Sequence, residues 1–154
     1  PTCWSRRRRP TPVAGPQWEV QALDVVRRLT AKCLHQAICL YGQDLRNEQM
    51  AGEDLADLVI AYYGASSAVN RIVQLGEKAI RDRGLAVLGR LAVAACLEEA
   101  WRLVYRLRPT LFAELDPAAI LVEQTQKLLL PFDPVTEIRA LTDDLYHHGH
   151  YRFG

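Results

Sequence analysis

The sequence predicts an all-α protein, a helical bundle of four to five helices with short loops. Three observations predict this class. Apolar residues recur at steps of three and four along most of the chain, and no stretch alternates at every second position as a half-buried strand does. Two Asp-Pro pairs supply signals for helix starts. The 154 residues, 49% of them apolar, are enough for one hydrophobic core.

The first helix is predicted from Trp18 to about Met50. Its apolar positions follow the spacing of one helix face, and most charged residues fall between them. The segment NEQMAGED, residues 47–54, is polar and contains a glycine, so we expect the first turn there.

The second helix raises the question of how to interpret GASS, residues 64–67. Apolar residues keep their three-and-four alternation through this stretch, so a helix break is disfavoured. Glycine inside a helix costs about 1 kcal/mol relative to alanine, and a tertiary gain should offset that cost. We therefore expect Gly64, Ser67 and Ala68 to let a neighbouring helix approach closely.

The third helix is predicted from Leu85 to Leu107, entered through Gly84 and ended before Pro109. Its first half, LAVLGRLAVAACL, is apolar on nearly all sides, which is typical of a helix buried between neighbours. Gly89 is a second glycine inside a predicted helix, like Gly64 in the second helix.

The remaining helices are predicted from the Asp-Pro pairs. One should run from Pro117 to Leu130, and a shorter one from Pro134 to about Tyr146. The domain assignment is then a disordered basic, Pro-rich tail or linker at 1–17, a helical bundle at 18–146 and an irregular His-rich tail at 147–154.

Composition excludes several classes of function. The net charge is +1 and the basic excess is local, in Arg6 to Arg9, so no nucleic-acid partner is expected. No apolar run approaches the ~20 residues that span a bilayer. The four cysteines form no CxxC pair, which favours reduced thiols and an intracellular location.

The residues show no active site. Ser66 and Ser67 lack the strand and strained turn of a nucleophile elbow. Glu98 and Glu99 are adjacent on a helix and point about 100° apart, so a solvated or salt-bridged role is favoured over acid–base catalysis. His147, His148 and His150 lie at a flexible end and are not expected to hold a metal. We predict no catalytic, cofactor-binding or metal residue in this chain.

A family resemblance adds to this interpretation. The segment AICLYGQDLRNEQMAGEDLADLVIAYYGASSAVNRI contains an aromatic-Gly pair followed by an acid-Gln pair. An alanine, an aliphatic residue and a second aromatic-Gly pair come next, and an arginine follows them. This pattern resembles the C-terminal helical extension of the very-long-chain type acyl-CoA dehydrogenases, which include the complex I assembly member and bacterial relatives. ACLEEAWRLV resembles the next helix of that extension. The matching residues are Tyr41-Gly42, Glu48-Gln49, Ala56, Ile60, Tyr63-Gly64 and Arg71.

The resemblance implies an accessory domain of an FAD-dependent enzyme of fatty acyl-CoA oxidation, docked on the dehydrogenase core or a second subunit. FAD would belong to the parent enzyme and not to this chain. A homo-oligomer, peripheral contact with a membrane, and a cytoplasmic or mitochondrial location follow from the same likeness. The packing residues expected from resemblance and pattern together are Gly42, Tyr63, Gly64, Ala68, Arg71 and Gly89.

Two other classes stay open: a free-standing helical interaction module, and a small regulator whose arginine tail contacts nucleic acid. A chain separated from its natural partner should also expose apolar surface. We expect that surface on the first and third helices, at Val26, Leu29, Cys33, Leu88, Val93 and Leu97.

Overall fold

The computed structural model describes residues 16–76, 83–112 and 132–148, and these are almost entirely helical. Within the described ranges there is no strand, which confirms the all-α prediction. The helices are α1 (Gln17–Tyr41), a short 3-10 helix (Gly42–Asn47), α2 (Gln49–Leu75), α3 (Arg83–Leu111) and α4 (Pro134–His148).

The first helix is shorter than predicted. α1 ends at Tyr41 because Gly42 adopts a positive φ of 52° and donates its N–H to the carbonyl of Ile38. A side chain is disfavoured in this conformation, so glycine ends the α-helix there. The chain tightens into the 3-10 helix and enters α2 at Gln49, so the predicted turn at 47–54 is confined to its first residues.

Helices α2 and α3 form the most extensive contact of the bundle and run antiparallel. Three contacts mark their register: Asp54 with Arg106, Gly64 with Cys96, and Ile72 with Gly89. Each step forward along α2 is matched by a similar step backward along α3. α1 packs against both of them, and α4 makes a smaller contact with α3.

The core lies where α1, α2 and α3 meet. Five of the six residues expected on exposed faces are buried, namely Val26, Leu29, Cys33, Val93 and Leu97, and only Leu88 is exposed. That prediction was wrong because α1 and α3 each contact at least two neighbouring helices, which cover a wider apolar face than one contact would. The largest fully buried side chains include Leu58, Leu103, Leu107 and Leu111.

Helix α3 extends beyond both predicted ends. It begins at Arg83 and contains Pro109, which the sequence placed after the helix. Proline lacks the N–H that would bond to the carbonyl of Tyr105, but it lies in the last turn, where little of the hydrogen-bonding pattern remains to be lost. The helix ends two residues later, and Phe112 donates its N–H to the carbonyl of Arg108.

Helix α4 begins as predicted. Asp133 accepts a hydrogen bond from the Val135 N–H at 3.1 Å and another from the Thr136 hydroxyl at 2.7 Å, which is the side-chain capping expected of an Asp-Pro start. α4 continues through His148, so the predicted irregular tail at 147–154 begins too early. The predicted helix at 117–130, most of the tail at 1–17 and His150 lie outside the described residues.

The cap at Asp133 gives a first testable effect. We expect Asp133→Ala to destabilise the start of α4 by about 1 kcal/mol, because two hydrogen bonds to its first turn are lost. Amide exchange in the first turn of α4 measures this directly. Asp143→Ala, an exposed change in the same helix, is the control and should stay within about 0.5 kcal/mol. Equal exchange rates in the two variants would refute the capping role.

Candidate interaction surface

The outer face of α2 carries an apolar stripe that points away from the core. Ala56, Val59, Ile60 and Tyr63 are all exposed and follow the i, i+3, i+4, i+7 spacing of one helix face. Ile60 is 65% exposed and Tyr63 is 74% exposed. Leu55, Leu58, Ala61, Ala65 and Val69 form the buried face of the same helix. α2 is therefore apolar on two sides, and no other described residue buries the outer one.

Charged residues flank this outer stripe. Glu53 and Asp57 lie exposed toward the start of α2, and Arg71 lies exposed toward its end. A solvent-facing helix surface usually carries its charges across the whole face. Glu53 precedes Ala56, Asp57 lies beside it, and Arg71 follows Tyr63 by about two turns, so charges border the apolar side chains as in a protein-contact patch with a polar rim.

The small residues of α2 and α3 sit at the crossing of these helices. A Cβ placed on Gly64 would lie 3.0 Å from Cys96 Sγ, and one placed on Gly89 would lie 2.6 Å from two carbons of the Ile72 side chain. Both distances are shorter than ordinary van der Waals contact. Each glycine therefore makes room for a side chain of the opposite helix, and α2 runs through GASS without a break.

The other expected packing residues divide into two groups. Ala68 is partly buried against the core. Gly42, Tyr63 and Arg71 do not pack between helices: a Cβ on Gly42 would meet nothing within 4 Å, and the other two side chains are exposed. The prediction for these three was wrong, because motif position does not say which side of a helix meets its neighbour. Ser67, expected at the crossing, is exposed as well.

A buried ion pair joins α1 to α3. Arg90 Nε donates to Glu19 Oε1 at 2.9 Å, and the side chains are only 13% and 4% exposed. The guanidinium carbon of Arg90 also lies 5.3 Å from the ring centroid of Phe132, whose ring packs edge-on against Trp18. Sequence reasoning missed this cluster, although a lone arginine inside the apolar run LAVLGRLAVAACL was a usable signal.

A second ion pair joins α2 to α3 nearer the surface. Arg106 reaches the buried carboxylate of Asp54 at 3.0 Å, while about half of the arginine side chain stays exposed. In both inter-helix pairs α3 supplies the arginine. These pairs fix how α1 and α2 sit on α3, and hence which face of α2 turns outward.

The residues weighed for catalysis are not arranged for it. Ser66 and Ser67 lie inside the continuous helix α2, away from any strand or turn. Glu99 accepts two hydrogen bonds from Arg102, one of them at 2.8 Å, and this pairing lowers the pKa of Glu99. The expected salt-bridged role of a glutamate in this pair is thus confirmed. The exposed Arg27 and Arg28 pair with Asp24 in the same way and lower its pKa.

Three free cysteines lie in the described part of the chain. Burial raises the pKa of Cys33 to about 11 and raises that of Cys96, so neither is a ready nucleophile, whereas Cys39 is exposed. Within the described ranges, no group of three or more His, Cys, Asp or Glu side chains is placed to hold a metal ion. No described helix is long and apolar enough to cross a membrane.

Comparison with known proteins adds no assignment. No family model, no curated protein and no solved structure matches this chain.

Proposed function

We propose that this chain is a helical docking domain whose outer α2 stripe binds the core of an acyl-CoA dehydrogenase of the very-long-chain type. The observation that carries the proposal is the exposed stripe of Ala56, Val59, Ile60 and Tyr63. An apolar face of this kind on an otherwise well-packed bundle indicates a protein partner.

The identity of the partner rests on the resemblance. Three of its motif residues, Ala56, Ile60 and Tyr63, belong to the outer stripe, while Gly64 lies at the α2–α3 crossing. The motif thus contains three of the four stripe residues and a residue at which α2 meets α3. An accessory domain needs both, because the contact surface must be presented on a rigid element.

The partner supplies the chemistry in this proposal. FAD and the catalytic groups of acyl-CoA oxidation would lie in the dehydrogenase core. The purified chain should therefore bind no flavin and oxidise no acyl-CoA. A purified protein with a flavin absorbance near one equivalent per chain would contradict this assignment.

The decisive measurement is binding to a dehydrogenase core that lacks its own helical extension and comes from the same organism. We expect a complex in sedimentation or calorimetry, and we expect Ile60→Glu or Tyr63→Glu to weaken it at least tenfold, because a charge would be buried at the contact. Ala31→Glu, on the exposed face of α1, is the matched control and should leave binding unchanged.

The same variants test the alternative of a free-standing interaction module. Self-association of the chain without any binding to the core, abolished by Ile60→Glu, would assign the stripe to a second copy and overturn the dehydrogenase partner. A complex that survives both glutamate variants would show that another surface carries the docking.

A further inference from the structure

The C-terminal half of α1 presents a histidine and a cysteine side by side on its exposed surface. His35 and Cys39 are four residues apart, so they stand one turn above the other on one face. Their side chains meet: His35 Nε2 lies 3.7 Å from Cys39 Sγ. Both residues are exposed, so a solute can reach the two atoms.

This separation fits two ligands of one metal ion. With Zn–N of about 2.0–2.1 Å and Zn–S of about 2.3 Å, neighbouring ligands of a tetrahedral zinc ion lie about 3.6 Å apart. Imidazole nitrogen and thiolate sulfur are both ligands that zinc prefers, and two ligands four residues apart on a helix form a chelating pair. The pair is thus already spaced as one edge of a coordination tetrahedron.

One chain provides only half of such a site. No third metal-binding side chain of the described residues joins the pair. A closed tetrahedral site needs four protein ligands, and a two-fold axis through the metal brings the same two from a second copy. Exposed Ile38 and Leu40 flank Cys39 in sequence and add apolar surface beside the pair.

We propose that His35 and Cys39 of two copies of this chain together bind one zinc-class divalent cation. Each Cys39 thiol loses its proton to solvent as the metal–sulfur bond forms, and each His35 binds through Nε2 while its other ring nitrogen keeps a proton. The two thiolates neutralise the dication. This inference does not depend on the docking of α2, which concerns a different helix.

The charges around the pair are mixed. Lys32 and Arg28 lie on the same face of α1 as His35 and Cys39 and oppose the approach of a free cation. Arg28 is paired with Asp24 at 2.6 Å, which offsets much of its charge.

The test is a Co²⁺ titration of the full chain under reducing conditions, in a background variant in which other potential metal ligands are substituted. That background carries Cys3→Ser, His147→Gln, His148→Gln and His150→Gln, and it retains the His35–Cys39 pair. We expect the absorption of tetrahedral thiolate-bound cobalt, a stoichiometry of one Co²⁺ per two chains, and metal-dependent dimers in sedimentation. Zn²⁺ should displace the cobalt.

Single changes at the pair then decide the assignment. Cys39→Ser should abolish the cobalt–thiolate band and the metal-dependent dimer, and His35→Gln should weaken binding at least tenfold. Both variants should keep the helical circular dichroism of the parent, because the two side chains are exposed. A missing thiolate band in the background chain, a band that survives Cys39→Ser, or one Co²⁺ per monomeric chain would each overturn the shared site.

Discussion

Replacing Arg90 with methionine should lower the free energy of unfolding by about 3–5 kcal/mol. The change keeps a long side chain beside Phe132 but removes the cation that pairs with Glu19. The Glu19 side chain is only 4% exposed, so its carboxylate would stay buried without a partner. Urea denaturation followed by circular dichroism measures the loss.

Two further variants isolate the cause. Arg102→Met, on the same helix, breaks the exposed pair with Glu99 and should cost less than about 0.5 kcal/mol. Combining Arg90→Met with Glu19→Gln should recover much of the lost stability, because no unpaired charge then remains at this contact. A cost for Arg90→Met no larger than that for Arg102→Met would show that the buried pair does not support the fold.

Gly64→Leu should destabilise the protein by about 1–3 kcal/mol, even though leucine favours helix more than glycine does. A Cβ at this position would already lie 3.0 Å from Cys96 Sγ, so the larger side chain must push α2 and α3 apart. Thermal and chemical unfolding both report the change.

The control for this prediction is Gly52→Ala, in the same helix. A Cβ at Gly52 meets nothing within 4 Å, so the substitution should stabilise by up to about 1 kcal/mol. Gly64→Ala combined with Cys96→Ala should be better tolerated than Gly64→Ala alone, because the shortened side chain at residue 96 opens the contact. A higher melting temperature for Gly64→Leu would refute the close crossing.

The all-α fold class and the approximate bounds of the helices could be predicted from the sequence, because both depend on apolar periodicity and on local start and stop signals. Asp133 caps α4 as an Asp-Pro start indicates, and the unbroken apolar period through Gly64 corresponds to a continuous helix. The end of α1 was missed because the residues after Gly42 keep an apolar period while the backbone at Gly42 turns to positive φ. Apolar periodicity shows which residues share a helix face, but it does not show where the backbone leaves the α-helical conformation.

The candidate site was predicted less well, and for a related reason. The three-and-four pattern of α2 indicates its inner face, but the outer face, with Ile60 and Tyr63, also carries apolar residues, and the pattern did not show that these lie exposed. Val26 and Val93 were placed outside because their helices carry more apolar surface than one contact covers, but each of these helices packs against at least two others. Which apolar face is buried depends on how the helices are arranged in the bundle. Contacts between residues far apart in sequence, such as Glu19 with Arg90, determine that arrangement.

The Glu19–Arg90 pair also discriminates between alignments of the three helices. A slide of α3 by four residues, about 6 Å along its axis, would place Ala86 or Ala94 opposite Glu19. The Asp54–Arg106 pair would tolerate one of these two slides, since Asp54 would then lie opposite Arg102, another arginine. The Glu19–Arg90 pair would not tolerate either slide, because the Glu19 carboxylate would be left in the interior without a cation. The close contacts of Gly64 with Cys96 and of Gly89 with Ile72 select one alignment of α2 on α3, and the buried charge of Glu19 selects one alignment of α1 on α3. Together these contacts give α2 a single outward face.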